Sequence, residues 1–577
     1  MSRGGRLLRT VVVLAVLVAG GFGAAAALRG DPDQPEGPGG LPPPDERTFE
    51  TDDPVERACA LDKPLLARVW RGYHPKHSED VTFVPLEPNY SGAFDVTSHS
   101  GPWDYLQNVP LVFYGPGVIA PEGRVRGPAT LADVFPTVGA MAGVPLPERE
   151  GRVLHDALGE TESAPRLVVT IMWDGVGRNV LERWPGRWPN LARMEREGTS
   201  YLTATVGSSP SITPATHSTL GAGVYPRTHG VTAINIRTKN GDVRTAFNQR
   251  DPGDLKQTTF ADEIDLALGN EPLVGMLAWK SWHIGMMGHG TQTPGGDADQ
   301  LAIIGGDERI TGNPLYDSAP EYLENFGGLE EHADELDLED GEADGKWRGH
   351  GILELHDNPA WVEWETDAIL AMLENEGYGD DEVTDFFFTN YKPTDIVGHQ
   401  YTMDSPEMGD VLEAQDAALG RLLDWLDANV SDYAVILSSD HGHTPSPERS
   451  GAWPLLQGQL QEDIDAAFDV PKGKSLVEQA NPVGPFLDKE VMNELGVTGA
   501  EVAEFLNGYR IRDNWGGGEL PEGFEDRGDE NVIAAAWSRR QYGEVMRCAF
   551  GSEKPPASAG LRAEPEAASA GPATDTE

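Results

Sequence analysis

The chain has 577 residues, with 44 lysines and arginines against 94 aspartates and glutamates, so its formal net charge is −50. Because so acidic a chain repels phosphate backbones, sequence-independent nucleic-acid binding is not expected. Hydrophobic residues make up 39 % of the chain, which is enough for a large core, and two cysteines are too few for a cysteine-rich zinc framework.

The first 30 residues have the pattern of an export segment. Three arginines precede an uncharged run from Thr10 to Leu28. This pattern is typical of a signal peptide, and the run is also just long enough for a membrane anchor. Because the positive residues precede the run, we expect the bulk of the chain outside the cytoplasm, either secreted or anchored to the outer face of the cytoplasmic membrane.

Two segments of biased composition enclose the predicted ordered body. Residues 31–56 are rich in proline, glycine and acid, and predict a flexible linker. Residues 551–577 are rich in alanine, proline and glutamate, and predict a disordered tail. Cys59 and Cys548 lie at the two edges of the body. In an oxidising compartment they would form a disulfide, and two separate buried thiols are the alternative.

Three short apolar runs, bounded by turn residues, predict buried strands of a largely parallel sheet at residues 167–173, 386–390 and 433–439. Leucines at helical spacing, from Leu412 to Leu426, predict a helix between the last two strands. Such strand–helix–strand units imply an α/β/α sandwich around a mostly parallel sheet.

Each of these strands leads to an aspartate, and two of them also lead to a histidine. Asp174 follows the first strand, Asp395 and His399 follow the second, and Asp440 and His441 follow the third. The carboxyl ends of parallel strands share one edge of the sheet, where ligands bind. Carboxylate and imidazole together suit zinc or manganese better than calcium, although any one of these residues could instead be a helix cap or a surface turn.

The most distinctive motif is Thr213-Pro-Ala-Thr-His followed by Tyr225-Pro-Arg-Thr-His-Gly. Together with Asp174-Gly and Ser439-Asp-His-Gly, it resembles the alkaline phosphatase superfamily, in its type I phosphodiesterase/nucleotide pyrophosphatase-like branch. The resemblance implies two divalent metal ions, zinc in that family, and a Thr or Ser nucleophile at the start of a helix. On this motif the nucleophile is Thr213.

The resemblance also implies how the metal ligands are shared. For the first metal it implies the ligands Asp174, Asp440, His441 and Thr213. For the second it implies Asp395 and His399, with one more histidine near the C-terminal end of the family's chains. This sequence departs from that pattern, because no histidine follows His443.

The missing segment resembles one at the front of the chain, Thr97-Ser-His99-Ser-Gly-Pro-Trp, with Tyr114-Gly-Pro-Gly after it. We interpret this as a circular permutation in which residues 57–160 are the C-terminal part of the hydrolase fold, moved to the front, and His99 is the missing ligand. Residues 161–550 would form the main part, with cap insertions at about 240–380 and 450–545. The alternative is an independent domain at 57–160, with His99 as an ordinary surface residue.

Asn235 and Lys280 are weaker candidates for contacts to the substrate phosphate; a turn asparagine and a structural lysine are the alternatives. The sequence and the resemblance together thus predict an exported two-metal hydrolase of phosphate esters that is phosphodiesterase/nucleotide pyrophosphatase-like and acts on a small phosphate ester or nucleotide through a phosphothreonine. An alkaline phosphomonoesterase is the main alternative. A sulfatase, which would need a Cys/Ser-x-Pro-x-Arg motif, and a non-catalytic metal-binding relic are less favoured. The oligomeric state is not predicted.

Overall fold

A computed structural model describes Phe49 and residues 51–159, 163–305, 309–313 and 319–551. The predicted export segment lies outside these residues, as do most of the predicted linker and nearly all of the predicted tail. No helix in the described part of the chain combines the length and the apolarity that a bilayer crossing requires.

Strands and helices alternate along most of the chain, as in other α/β proteins. The strands are β1 (Val81–Pro85), β2 (Tyr90–Ser91), β3 (Leu111–Tyr114), β4 (Gly123–Thr130), β5 (Leu167–Trp173), β6 (Thr199–Thr205), β7 (Asn235–Arg237), β8 (Val243–Thr245), β9 (Val274–Ala278), β10 (Gln300–Ile304), β11 (Ile310–Thr311), β12 (Lys346–Trp347), β13 (His350–Gly351), β14 (Asp385–Tyr391), β15 (Tyr433–Ser438), β16 (Pro454–Leu455), β17 (Val477–Asn481), β18 (Gly484–Leu487) and β19 (Ile533–Ser538). The α-helices are α1 (Pro54–Cys59), α2 (Lys63–Gly72), α3 (Asp104–Gln107), α4 (Val134–Met141), α5 (Arg178–Arg183), α6 (Pro189–Glu197), α7 (Thr213–Ala222), α8 (Pro226–His229), α9 (Phe260–Ala267), α10 (Ile284–Met287), α11 (Leu329–Asp337), α12 (Pro359–Glu376), α13 (Pro393–Gln400), α14 (Pro406–Asn429), α15 (Pro447–Ser450), α16 (Gln457–Ala467), α17 (Lys489–Leu495), α18 (Gly499–Asn507) and α19 (Tyr542–Phe550).

Nine of the described strands form one central sheet, in the order β11-β10-β9-β14-β5-β15-β3-β6-β4. All of them run in one direction except β3, which is antiparallel to both of its neighbours, and the edge strand β11. The three strands predicted from the sequence, now β5, β14 and β15, are adjacent at its centre. The prediction of a mostly parallel sheet is confirmed.

Helices cover both faces of this sheet. Every residue of β5 is buried, and its side chains alternate between two hydrophobic clusters. Val169, Ile171 and Trp173 pack in the cluster that contains α12 and the predicted leucine helix α14. Val168 and Met172 pack on the opposite side, with α4, α7 and α9. The two layers of helices complete the predicted α/β/α sandwich, and they leave the strand ends free to carry a site.

The front segment of the chain belongs to this sheet. Strand β3 lies between β15 and β6, and β4 extends the sheet beyond β6. Val112 pairs with Leu437 on one side and with Ser200 on the other. An independent domain at residues 57–160 is incompatible with this pairing, since the strands of an independent domain would pair only with one another.

Residues 240–380, predicted as a cap insertion, contribute three strands to the same sheet. β9 pairs in parallel with β14, and β10 and β11 continue outward from β9. Strand β9 is buried at all five positions. Much of this region is therefore part of the sheet rather than of a cap, and β9 adds a fourth strand end to the edge where the predicted ligands lie.

The two ends of the described chain form a second, smaller core. β1 pairs antiparallel with β19, from Val81 opposite Ser538 onward. The guanidinium of the buried Arg57 donates hydrogen bonds to the carbonyls of Ile533 and Ala534 at 2.8 and 3.0 Å. Helices α1 and α19 are joined by a disulfide between Cys59 and Cys548, whose Cα atoms are 5.9 Å apart. The predicted disulfide is confirmed.

The predicted linker at residues 31–56 is too long at its C-terminal end, because α1 already begins at Pro54. The Asp53 side chain accepts a hydrogen bond from the Glu56 amide at 2.8 Å and caps the helix. A proline in the first turn, which counted toward the linker composition, is also typical of helix starts.

Candidate metal centre

The predicted ligands meet at the carboxyl edge of the central sheet. Asp174 directly follows β5, and Asp440 and His441 follow β15, which pairs in parallel with β5. Asp395 lies in the first turn of α13, just after β14, and His399 lies four residues further along the same face of that helix. Parallel pairing of β14, β5 and β15 therefore brings together residues that are far apart in the sequence.

The first group consists of Asp174, Asp440 and His441, all fully buried. The Nε2 atom of His441 lies 3.5 Å from Asp174 Oδ1 and 3.2 Å from Asp440 Oδ2. Three protein ligands are the number typical of a catalytic zinc site, whereas a closed structural site has four.

The second group consists of Asp395, His399 and His99. The Nε2 atoms of His99 and His399 lie 3.6 and 3.4 Å from Asp395 Oδ1. His99 is only 5 % exposed, so it is not the surface residue of the alternative interpretation. The front of the chain thus supplies a histidine where the family pattern requires one. Its role as a metal ligand stays a prediction.

The carboxylates of both groups each have one oxygen held by the protein and one without a hydrogen-bond partner among the described residues. Asp174 Oδ2 accepts a hydrogen bond from Asn390 and forms an ion pair with Lys392 Nζ, and Asp440 Oδ1 accepts a hydrogen bond from the Gly175 amide. The free atoms are Asp174 Oδ1, Asp395 Oδ1 and Asp440 Oδ2. Burial opposes ionisation of Asp174 and Asp395, but the Lys392 ammonium keeps the pKa of each below its usual value. Buried carboxylates with unpartnered oxygens fit bound cations.

The three histidines are oriented in the same way. The Nδ1 atoms of His99, His399 and His441 face the backbone carbonyls of Ser211, Thr97 and Gly442 at 2.9, 2.5 and 3.1 Å. An Nδ1–H that donates to a carbonyl leaves Nε2 unprotonated and ready for a metal, which is how metal-binding histidines are commonly held. The donor set therefore fits two divalent cations.

Thr213 opens helix α7 and is 3 % exposed. Its hydroxyl accepts a hydrogen bond from Lys392 Nζ at 3.2 Å, and its carbonyl lies 2.8 Å from Nδ1 of His217 one turn later. The predicted helix start is confirmed. A helix N-terminus is a favourable place for a phosphate. The further prediction that Thr213 is the fourth ligand of the first metal stays a prediction.

The two predicted substrate-binding residues have different surroundings. Lys280, half-buried after β9, lies between the rings of Trp279 and Trp282, with Nζ 4.2 and 4.5 Å from their centroids. Burial and the nearby Lys392 ammonium lower its pKa to about 8, against the pull of the ligand carboxylates. Asn235 begins β7, and no hydrogen bond among the described residues joins its side chain to Thr213.

Two residues near the metal groups were not in the predicted set. Lys392 contacts Asp174 and Thr213. His443 is fully buried, and its Nε2 lies 3.7 Å from Asp395 Oδ1. Lys392 directly follows β14, so the same reasoning that found the aspartates at strand ends could have found it. His443 directly follows the Asp-His-Gly motif, so its place in the sequence is a signal for it as well.

Comparisons with known proteins identify the family of this chain. The family model described as "Type I phosphodiesterase / nucleotide pyrophosphatase" matches residues 168–496, more than half of the chain. Alkaline phosphatase PhoD of Zymomonas mobilis is 22 % identical over 317 residues, covering 50 % of this chain and 55 % of its own. Alkaline phosphatase PhoK of Sphingomonas is 29 % identical over 143 residues, covering 23 % and 24 %.

Alkaline phosphatase PafA of Elizabethkingia meningoseptica is 22 % identical over 355 residues, covering 52 % of this chain and 64 % of its own. A crystal structure of PafA aligns with a TM-score of 0.46 and 15 % identity, over 65 % of this chain and 84 % of that chain. The chain thus spans about half the length of PhoD and a quarter of PhoK. The extent of the family match confirms the predicted resemblance: the chain belongs to the type I phosphodiesterase/nucleotide pyrophosphatase family.

Proposed function

We propose that this chain hydrolyses phosphate esters at two divalent metal ions, zinc by the family resemblance, with Thr213 as the nucleophile. The observation that carries the proposal is the convergence of unpartnered carboxylate oxygens and oriented histidines beside a buried threonine at a helix start. Asp174, Asp440 and His441 would hold one ion. Asp395, His399 and His99 would hold the other.

The reaction follows from this arrangement in two displacements. When bound, the two ions neutralise charge on the phosphoryl oxygens and lower the pKa of the hydroxyl and of water. Thr213 Oγ1 gives up its proton to solvent and forms a bond to phosphorus while the bond to the leaving oxygen breaks; that oxygen keeps the electron pair and takes up a proton from water. A water oxygen then loses a proton and bonds to phosphorus, and Oγ1 departs with its electron pair and is protonated. The product phosphate is released and Thr213 is restored.

A phosphate monoester is the substrate class that we favour. The ammonium groups of Lys280 and Lys392 lie close enough to affect each other electrostatically and also to interact with Asp174 and Asp395. A phosphomonoester carries a charge of about −1.5 to −2 at neutral pH, whereas a diester carries a single negative charge, so added cations favour the monoester. The names of the curated relatives agree with this choice. A phosphodiester is the second candidate, because the family description names that activity.

The test compares a phosphate monoester and a methyl phosphate diester of the same chromogenic alcohol. Both are assayed with zinc, after chelation, and with Thr213→Ala. We expect chelator-sensitive hydrolysis of the monoester, and a fall in kcat of about a thousandfold or more in Thr213→Ala with unchanged metal content. Thr203→Ala, an exposed threonine of β6, is the matched control. A diester preference would move the assignment to the phosphodiesterases, and full activity in Thr213→Ala would refute the proposal.

Three further predictions depend on other observations. An extracytoplasmic location is supported by the disulfide, since cytosolic thiols are kept reduced. A circular permutation is supported by β3 in the sheet and by His99 in the second metal group. A possible N-terminal membrane anchor and the absence of a nucleic-acid partner stay predictions from the sequence alone.

A further inference from the structure

Lys392 is a buried cation in an unfavourable position. It is 3 % exposed and directly precedes α13, whose N-terminal end carries the positive pole of the helix. Two carboxylates, those of Asp174 and Asp395, lie within 2.9 Å of its ammonium. The surrounding carboxylates therefore compensate a charge that neither the helix nor the burial would favour.

One atom of this side chain contacts three residues of the centre. Lys392 Nζ lies 2.9 Å from Asp174 Oδ2, 2.7 Å from Asp395 Oδ2 and 3.2 Å from Thr213 Oγ1. An ammonium has three N–H donors, which is enough to serve these three neighbours. Each metal group provides one carboxylate, so the ammonium is held from both sides with its third N–H directed at the threonine.

These contacts leave the proposed metal ligands free. Lys392 bonds the Oδ2 atoms, whereas the unpartnered atoms are Oδ1 of Asp174 and Oδ1 of Asp395. The ammonium and two bound ions would therefore use different oxygens of the same carboxylates.

We propose that Lys392 is a catalytic residue that donates a hydrogen bond to Thr213 Oγ1 in both displacements, an inference that rests on the proposed function. In the first displacement Oγ1 attacks phosphorus, and the N–H stabilises the negative charge that makes it a nucleophile. In the second, the phosphorus–Oγ1 bond breaks, its electron pair returns to Oγ1, and the same N–H stabilises that charge. No proton leaves the ammonium.

The test uses Lys392→Met, which keeps the length of the side chain but removes all three donors. Single-turnover phosphorylation of Thr213 by an aryl phosphate is measured with saturating zinc, and bound metal is counted by mass spectrometry. We expect about a hundredfold slower phosphorylation at wild-type metal content, as when one donor to a developing oxyanion is lost. Lys346→Met, at an exposed lysine, is the matched control and should behave as wild type.

A phosphorylation rate within threefold of wild type at full metal content would overturn the proposal. So would a variant that has lost metal and regains the wild-type rate when zinc is raised, because Lys392 would then only position the carboxylates. If Lys392→Met does not fold, Lys392→Gln retains an uncharged N–H donor and should fall between the two. If the wild type shows no Thr213-dependent turnover, it is the proposed function that fails.

Discussion

Removal of the disulfide should destabilise the protein measurably. Cys59 and Cys548 are separated by 489 residues, so the bond closes almost the whole described chain into one loop. Chain entropy for a loop of this length gives a stabilisation of about 6 kcal/mol, and disulfide removals in practice cost about 2–5 kcal/mol. Because Cys59 is half-buried and Cys548 exposed, replacing both by alanine removes little packing. The loss should therefore reflect the cross-link itself.

The assay is urea unfolding of the zinc-loaded protein with and without Cys59→Ala/Cys548→Ala, in the absence of reductant. We expect a lower midpoint in the double variant and faster hydrogen exchange in α1 and α19, which the bond joins. Treating the wild type with reductant should shift its midpoint to that of the variant. If the free energies of unfolding of the oxidised wild type and of the double variant agree within about 0.5 kcal/mol, the link between the chain ends contributes nothing and the reasoning is wrong.

Two other predictions concern histidines. His99→Ala and His399→Ala should each lose about one metal ion per chain. His155→Ala, at an exposed position, is the control and should lose none. Wild-type metal content in His99→Ala would refute the role of His99 as a metal ligand. His289 Nδ1 lies 2.8 Å from Asp262 Oδ2. Burial lowers the pKa of this imidazole, but the Asp262 carboxylate outweighs burial and raises the pKa above 6.5. The ion pair should therefore contribute its full stabilisation below pH 6.5 and lose it as the pH rises through the raised pKa. His289→Gln should therefore cost about 1–2 kcal/mol more at pH 5.5 than at pH 9 in urea unfolding, and an equal cost at both would contradict the ion pair.

Much of the site followed from one local rule. An apolar run that ends in Asp or Asp-His predicts a buried strand with a ligand at its carboxyl end, and parallel pairing then brings the ligands together. This placed Asp174, Asp395 and Asp440 correctly. His99 required the family resemblance in addition, because nothing local in Thr97-Ser-His-Ser-Gly marks it as a partner of a helix almost 300 residues away.

The remaining features depend on long-range packing. Strand β9 has a short apolar run that is typical of core strands, but it was assigned to a cap because the family motifs do not cover it. Lys392 looks like an ordinary polar residue after a strand until Asp174 and Thr213 are placed around it. The pairing of β1 with β19 could not be predicted from either sequence segment alone, because the side chains of both strands pack chiefly against other elements of the second core.

The central position of β3 has a consequence for biosynthesis. Leu111–Tyr114 leaves the ribosome early, but the strand that pairs with all four of its residues, β15, is made more than 300 residues later. All four residues are buried in the finished sheet, and β6 can pair with only one side of the strand, so until β15 is made the other edge of an apolar strand must remain unpaired. Such late closure slows folding and exposes nascent chains to aggregation. Translation speed and chaperone supply, rather than the stability of the finished sheet, should then govern how much active protein a cell obtains.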